Sequence, residues 1–160
     1  MRLRRSSLFV CLACLVVSSL GHAAEREFVR VWPGWRDAAD FESISEYFSG
    51  QEAGSKGVIL RTHPEARAGF YFLVRTTKSS APHSGAKFVL QLIAPDSPNV
   101  KTFTFRADVP ARSQVFQLGL TGADWPDRKT HPVAWKLDLV DANDYVLATA
   151  QSFLWSKPAQ

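Results

Sequence analysis

Sulfur is nearly absent from this chain. Its two cysteines, Cys11 and Cys14, and its single methionine, Met1, all fall within the first 14 of 160 residues. Everything downstream therefore lacks a disulfide, a cysteine-built metal centre and a thiol nucleophile. Long apolar runs are missing too. The longest, Leu8–Leu20, is shorter than the ~20 residues a membrane-spanning helix needs. No basic run follows Arg5, so no stretch is built to neutralise a row of phosphates, and a nucleic-acid partner is not expected. No Asn-x-Ser/Thr acceptor occurs, because Asn99 and Asn143 are followed by the wrong residues. Linkers, internal repeats and low-complexity segments are also absent, which favours a single domain.

What is present begins with an export signal. Arg2, Arg4 and Arg5 form a basic region, Leu8–Leu20 an apolar one broken only by Ser18 and Ser19, and no acidic residue precedes Glu25. Gly21 and Ala23 supply the small residues for cleavage after Ala23, so residues 1–23 are expected to be a cleavable signal peptide. Arg4-Arg5 does not make a twin-arginine signal, since Ser6-Ser7-Leu8-Phe9 fits that pattern poorly. Cys14 does not make a lipoprotein site, since Cys11 stands where Leu is preferred. The general secretory route and a periplasmic or extracellular destination follow as expectations.

Removing the signal changes the charge argument. The whole chain carries 19 basic against 15 acidic residues, but three arginines leave with the signal, so residues 24–160 are nearly neutral. A chain of that length buries enough surface in one core to do without disulfides, as roughly 68% burial is usual near 150 residues.

The rest of the chain alternates like strands. Phe28–Trp32 reads as a short strand, and Pro33-Gly34 as a type II turn between Trp32 and Trp35, because Pro fixes φ and Gly accepts positive φ. Asp37 then stands where a helix cap belongs. Ala38, Phe41, Ile44 and Phe48 recur at helical spacing, which predicts one short α-helix over 38–48 ending near Gly50. From Val58 onward the period is two. Val58–Arg61, Gly69–Thr76, a strand around Phe88–Leu92, Val100–Arg106, Gln114–Leu120, Val133–Leu139 and Tyr145 to about Trp155 are separated by turn-rich stretches, among them Lys78–Gly85. A break in alternation near Ala150–Phe153 predicts a bulge or bend. The expected fold is all-β, an antiparallel β-sandwich of about seven or eight strands preceded by that helix. In strand count and rhythm over 58–155 it resembles the architecture of immunoglobulin and fibronectin type III sandwiches, without the cysteine pair and intervening tryptophan of true immunoglobulin domains.

Catalytic signatures are not found: there is no His-Glu-x-x-His, Gly-x-Ser-x-Gly or phosphate loop. His63, His83 and His131 sit beside prolines in loops, without the spacing of a metal site, and Asp141-Ala142-Asn143-Asp144 suits a hairpin turn better than a calcium loop. Neither a cofactor nor a metal is expected. Trp135 alternates as core, while Phe153 and Trp155 are expected to close one end of the sandwich. Arg61, Arg67 and Arg75, with Glu65 among them, are expected to form a network tying the Val58–Arg61 segment to the sandwich. The candidate ligand-binding residues are Trp32 and Trp35, flanking the Pro-Gly turn, and Trp125 between Asp124 and Asp127 in the polar loop Thr121–Pro132. Exposed rings stack on sugars or clamp peptides, and neighbouring carboxylates suit sugar hydroxyls. The same tryptophans equally suit anchoring irregular backbone to the core.

The sequence thus points to an exported, non-enzymatic binding or protein-interaction module whose partner is an envelope protein or a glycan. The alternative is a carbohydrate-binding module or a small carbohydrate-active enzyme. The export reading is checked by mass spectrometry: the exported protein should begin at Ala24 or Glu25 and carry no lipid, whereas a diacylated Cys14 would contradict it.

Overall fold

The structure, a computed structural model, describes residues 28–41 and 57–156. These residues form eight strands: β1 (Phe28–Arg36), β2 (Val58–Arg61), β3 (Gly69–Thr76), β4 (His83–Ile93), β5 (Val100–Val109), β6 (Val115–Thr121), β7 (Ala134–Val140) and β8 (Val146–Gln151). They make two four-stranded sheets, in the orders β1-β3-β6-β2 and β5-β4-β7-β8.

Alternation explains how the sheets meet. Phe70, Phe72 and Val74 of β3, with Phe116, Leu118 and Leu120 of β6, bury one face of the first sheet. Ala86, Phe88, Leu90 and Leu92 of β4, with Leu137 and Leu139 of β7, bury one face of the second. Rings cross between them: Phe88 lies 4.9 Å from Phe116, and Phe72 lies 5.4 Å edge-on from Trp135, centroid to centroid. The two sheets therefore form a sandwich over one continuous core. Trp135 is half-buried against that core, as its alternation foretells.

The sandwich is not purely antiparallel. β2 runs parallel to β6, pairing Val58 with Phe116 through Arg61 with Gly119, so the first sheet is mixed. Four residues of alternating sequence carry no signal of direction, and what holds the parallel edge lies just beyond it. The amide of Thr62 donates to the Gly119 carbonyl. The Thr121 amide donates to the Thr62 hydroxyl and the His63 amide to the Thr121 hydroxyl, which itself donates to the His63 carbonyl. Thr121 is fully buried, and this exchange satisfies it.

The outer face of the first sheet holds a second anchor. Tyr71 points away from the sandwich core yet is fully buried. Its hydroxyl donates to the Arg67 carbonyl at 2.6 Å and accepts from Arg61 Nε at 2.8 Å, while Phe41 packs on its ring at 4.9 Å. Arg61 Nε and the Arg67 backbone carbonyl thus tie β2 to the sheet through Tyr71. The expected network does not include Arg75, which lines a separate cleft with Arg112, and Glu65 faces His63. Gly119 leaves room for the Tyr71 ring, since a Cβ there would fall 2.4 Å from it.

Several local expectations need correction. The stretch 38–48 is not α-helical where it is described: Ala38–Phe41 forms one 3-10 turn, and 42–48 lie outside the described residues. Asp37 does not cap a helix, because its carboxylate accepts the Trp35 indole N–H and meets Arg128 at 3.0 Å, while its own amide donates to Asp40. Nor does Pro33-Gly34 turn. β1 runs straight through it, with Pro33 opposite Phe72 and Gly34 opposite Tyr71. β1 is an edge strand, where a missing proline N–H can face outward at no cost to the ladder.

The loop expected over Lys78–Gly85 is strand from His83 on, entered through an irregularity at Ser84-Gly85 in which Gly85 takes φ +67° and donates to Asp108. The bend expected near Ala150–Phe153 is present, since the ladder ends at Gln151 and the Trp155 amide donates to the Ser152 carbonyl in the turn that follows. β8 carries a further irregularity at Leu147 and does not extend to Trp155. Phe153 does not close an end of the sandwich, since it is 73% exposed. The Asp141–Asp144 turn is as expected: the Asp141 carboxylate accepts the amides of Asn143 and Tyr145, and Asp144 takes φ +67°.

Candidate functional site

Trp32 and Trp35 lie three apart in a continuous strand, so they face opposite ways. Trp35 turns inward and packs against the core. Trp32 turns outward, 40% exposed, with the Arg30 guanidinium 4.8 Å from its ring centroid. The paired-ring clamp expected from a Pro-Gly turn is therefore not formed.

Trp125, the third candidate, is 3% exposed and belongs to the core. A short 3-10 turn, Gly122–Asp124, lowers it onto Phe70 at 5.5 Å, and its indole N–H donates to the Thr130 carbonyl at 3.0 Å. It plugs the end of the sandwich and pins its own loop, the role a buried tryptophan often takes. His131 packs edge-on to the same Phe70.

Around this plug the loop is held by its carboxylates. Asp127 accepts the Lys129 amide at 2.9 Å and the Thr130 hydroxyl at 2.7 Å. The Lys129 amide first, then the Thr130 hydroxyl, hold the Asp127 carboxyl below its ordinary range. A carboxyl depressed in the fold supports that fold above its unfolded pKa, and the support fades as pH falls through the lowered value. Asp124 faces His63 Nε2 at 3.3 Å, and Glu65 faces Nδ1 of the same ring at 3.6 Å. Through Asp37, Arg128 also links the loop to Trp35.

Asp124, Trp125 and Asp127 do share one cleft, of about 330 Å³, with Asp96 and Lys101 from the β4–β5 side. Trp32 is not among its lining residues. The structure thus gathers three of the five candidates in the cleft and leaves both Trp32 and Trp35 outside it. Among the described residues no group of three His, Cys, Asp or Glu side chains is placed to hold a metal ion. No helix among them is long and apolar enough to cross a membrane.

A feature that residue-by-residue reasoning passed over is apolar exposure along β8 and its flanks: Tyr145 71%, Val146 55%, Phe153 73% and Leu154 52%. The break in alternation around Ala150–Phe153 was the one sequence signal pointing there. No protein-family model matches this chain, and no curated protein matches it in sequence.

The two kinds of tryptophan respond differently to truncation. Trp125→Ala should cost about 3–5 kcal/mol, the usual range for a buried aromatic, and lower the thermal midpoint by several degrees. Trp32→Ala should cost about 1 kcal/mol or less, the scale of an exposed cation–π contact. Calorimetry of the two variants decides it, and a Trp125→Ala protein that melts with the parent contradicts the placement of that ring.

Proposed function

We propose that this protein is an exported sandwich of the immunoglobulin and fibronectin type III kind that binds a protein neighbour and carries out no reaction of its own. The observation that carries the binding half is the pair of exposed apolar side chains at each end of the edge strand β8, Tyr145 with Val146 and Phe153 with Leu154. Single exposed residues are normal, but neighbouring ones beside a sheet edge suit a contact surface. Export rests on the basic and apolar pattern of residues 2–23. The immunoglobulin-like reading draws support from the order β5-β4-β7-β8, which matches the C′-C-F-G sheet of such domains. A protein role in place of catalysis is favoured by the carboxylates of the candidate cleft, since Asp127 bonds within its own loop and Asp124 faces His63 of the β2–β3 segment.

Glycan binding is the second reading, and the cleft holding Asp96, Asp124 and Asp127 is the observation in its favour. Sugar stacking needs an open ring face, which Trp125 at 3% exposure does not offer.

The test compares the exported protein with the double variant Phe153→Glu/Leu154→Glu, both at exposed positions that leave the core intact. The parent should capture an envelope protein that the variant does not, with equal melting temperatures. Undiminished capture by the variant, or a glycan-array signal that is lost in Asp127→Asn, would overturn the reading.

A further inference from the structure

Among the described residues the sandwich has four edge strands, and three of them carry features that discourage pairing with another strand. β1 has Pro33 in its middle, an irregularity near Val29 and the charges of Arg30 and Arg36. β2 has only four residues, one of them arginine. β5 carries Lys101, Arg106 and Asp108. Such charges, prolines, bulges and short lengths are the usual means of keeping an edge from templating aggregation.

β8 is different. Its sequence, Val-Leu-Ala-Thr-Ala-Gln, contains no charge, no proline and no glycine, and its one irregularity lies at Leu147 near its start. The direction of its backbone groups follows from its pairing. The Ser152 amide donates to the Trp135 carbonyl at 2.9 Å, and the ladder continues with Ala150 opposite Leu137 and Ala148 opposite Leu139. Alternate residues of an antiparallel pair face their partner strand, so Thr149 and Gln151 direct their amides and carbonyls away from β7.

Resting on the binding role proposed above, we infer that the neighbour met by this edge is a second copy of the same chain, joined through antiparallel β8–β8 pairing about a two-fold axis near Thr149. The distribution of exposed side chains favours a copy over a foreign strand. Apolar exposure sits at both ends of β8, Tyr145 and Val146 before it and Phe153 and Leu154 after it. An antiparallel two-fold laid on Thr149 brings the Tyr145 end of one strand against the Phe153 end of the other, covering both at once. A neutral strand also meets itself without repulsion, as an isologous contact requires. The result is a continuous eight-stranded sheet through two protomers, with backbone hydrogen bonds giving affinity and the flanking side chains giving register.

Light scattering on the purified exported protein should give a mass that rises with concentration towards twice the protomer mass. Gln151→Pro removes an amide that faces away from β7, so it should leave the melting temperature near that of the parent and yield a monomer. Thr149→Cys provides the arm that does not depend on proline being tolerated. Directly opposed residues of an antiparallel pair have Cα atoms about 5.5 Å apart, within disulfide range. With no other cysteine after Cys14, mild oxidation should therefore give a covalent dimer. A protein monomeric at every concentration, or a dimer in which Thr149→Cys does not cross-link, overturns the inference. If the monomer still captures an envelope protein in a Phe153/Leu154-dependent way, the binding role stands and only the identity of the partner is wrong.

Discussion

Phe88 projects from β4 into a space walled by Phe116 of β6 and Phe28 of β1, with ring centroids at 4.9 and 6.4 Å. It is completely buried, and it belongs to one sheet while both of its aromatic neighbours belong to the other. This cross-sheet contact is the constraint that the rest of the sandwich depends on. Two sheets with one apolar face each are not stable apart, because each would present that face to water. The contact between Phe72 and Trp135 repeats the arrangement further along. Because no cysteine follows residue 14, no covalent link backs up these contacts, and packing alone must hold the sheets together.

The ends of the sandwich follow from the same constraint. At one end Trp125 closes the gap over Phe70, and its indole N–H is satisfied only because Asp127 shapes the loop that brings the Thr130 carbonyl to it. The polar residues there, which look like a binding constellation when read in a row, are largely the means of burying one large ring. At the sides the constraint is weaker. Edge strands must either resist or accept a partner, and the contrast between β5, with its charges, and β8, with none, is where the fold leaves room for function.

The legible and illegible parts of the sequence divide along physical lines. The core face of β3 and most of that of β7 were legible, because alternation records which side chain faces the core, and Phe70, Phe72, Val74, Leu137 and Leu139 are buried as their period demands. The burial of Tyr71, Ala134 and Asp138 on the other faces and the exposure of Val133 were not. The Asp141–Asp144 turn was legible because Asx side chains act on backbone groups two and four residues away. Pro33-Gly34 misled because turn chemistry is local, whereas the choice between turn and strand was made by β3, more than thirty residues on in the chain. Phe41 misled in the same way: helical spacing records an apolar face, and here Phe41 serves Tyr71 on the outside of a sheet. The direction of β2 and the burial of Trp125 were set by partners distant in sequence, Thr121 and Phe70, and no window of neighbouring residues contains them.

The central claim is that two sheets share one core and neither persists without the other. Native-state amide hydrogen exchange tests it most directly, because it reports the opening free energy of each strand separately. The account predicts that the most protected amides of β3 and β6 and those of β4 and β7 exchange only by the same global unfolding, with one common free energy. If either pair opened at a free energy lower by several kcal/mol, on the scale of the 5–15 kcal/mol typical of whole domains, the sheets would be separate units and the account would be contradicted.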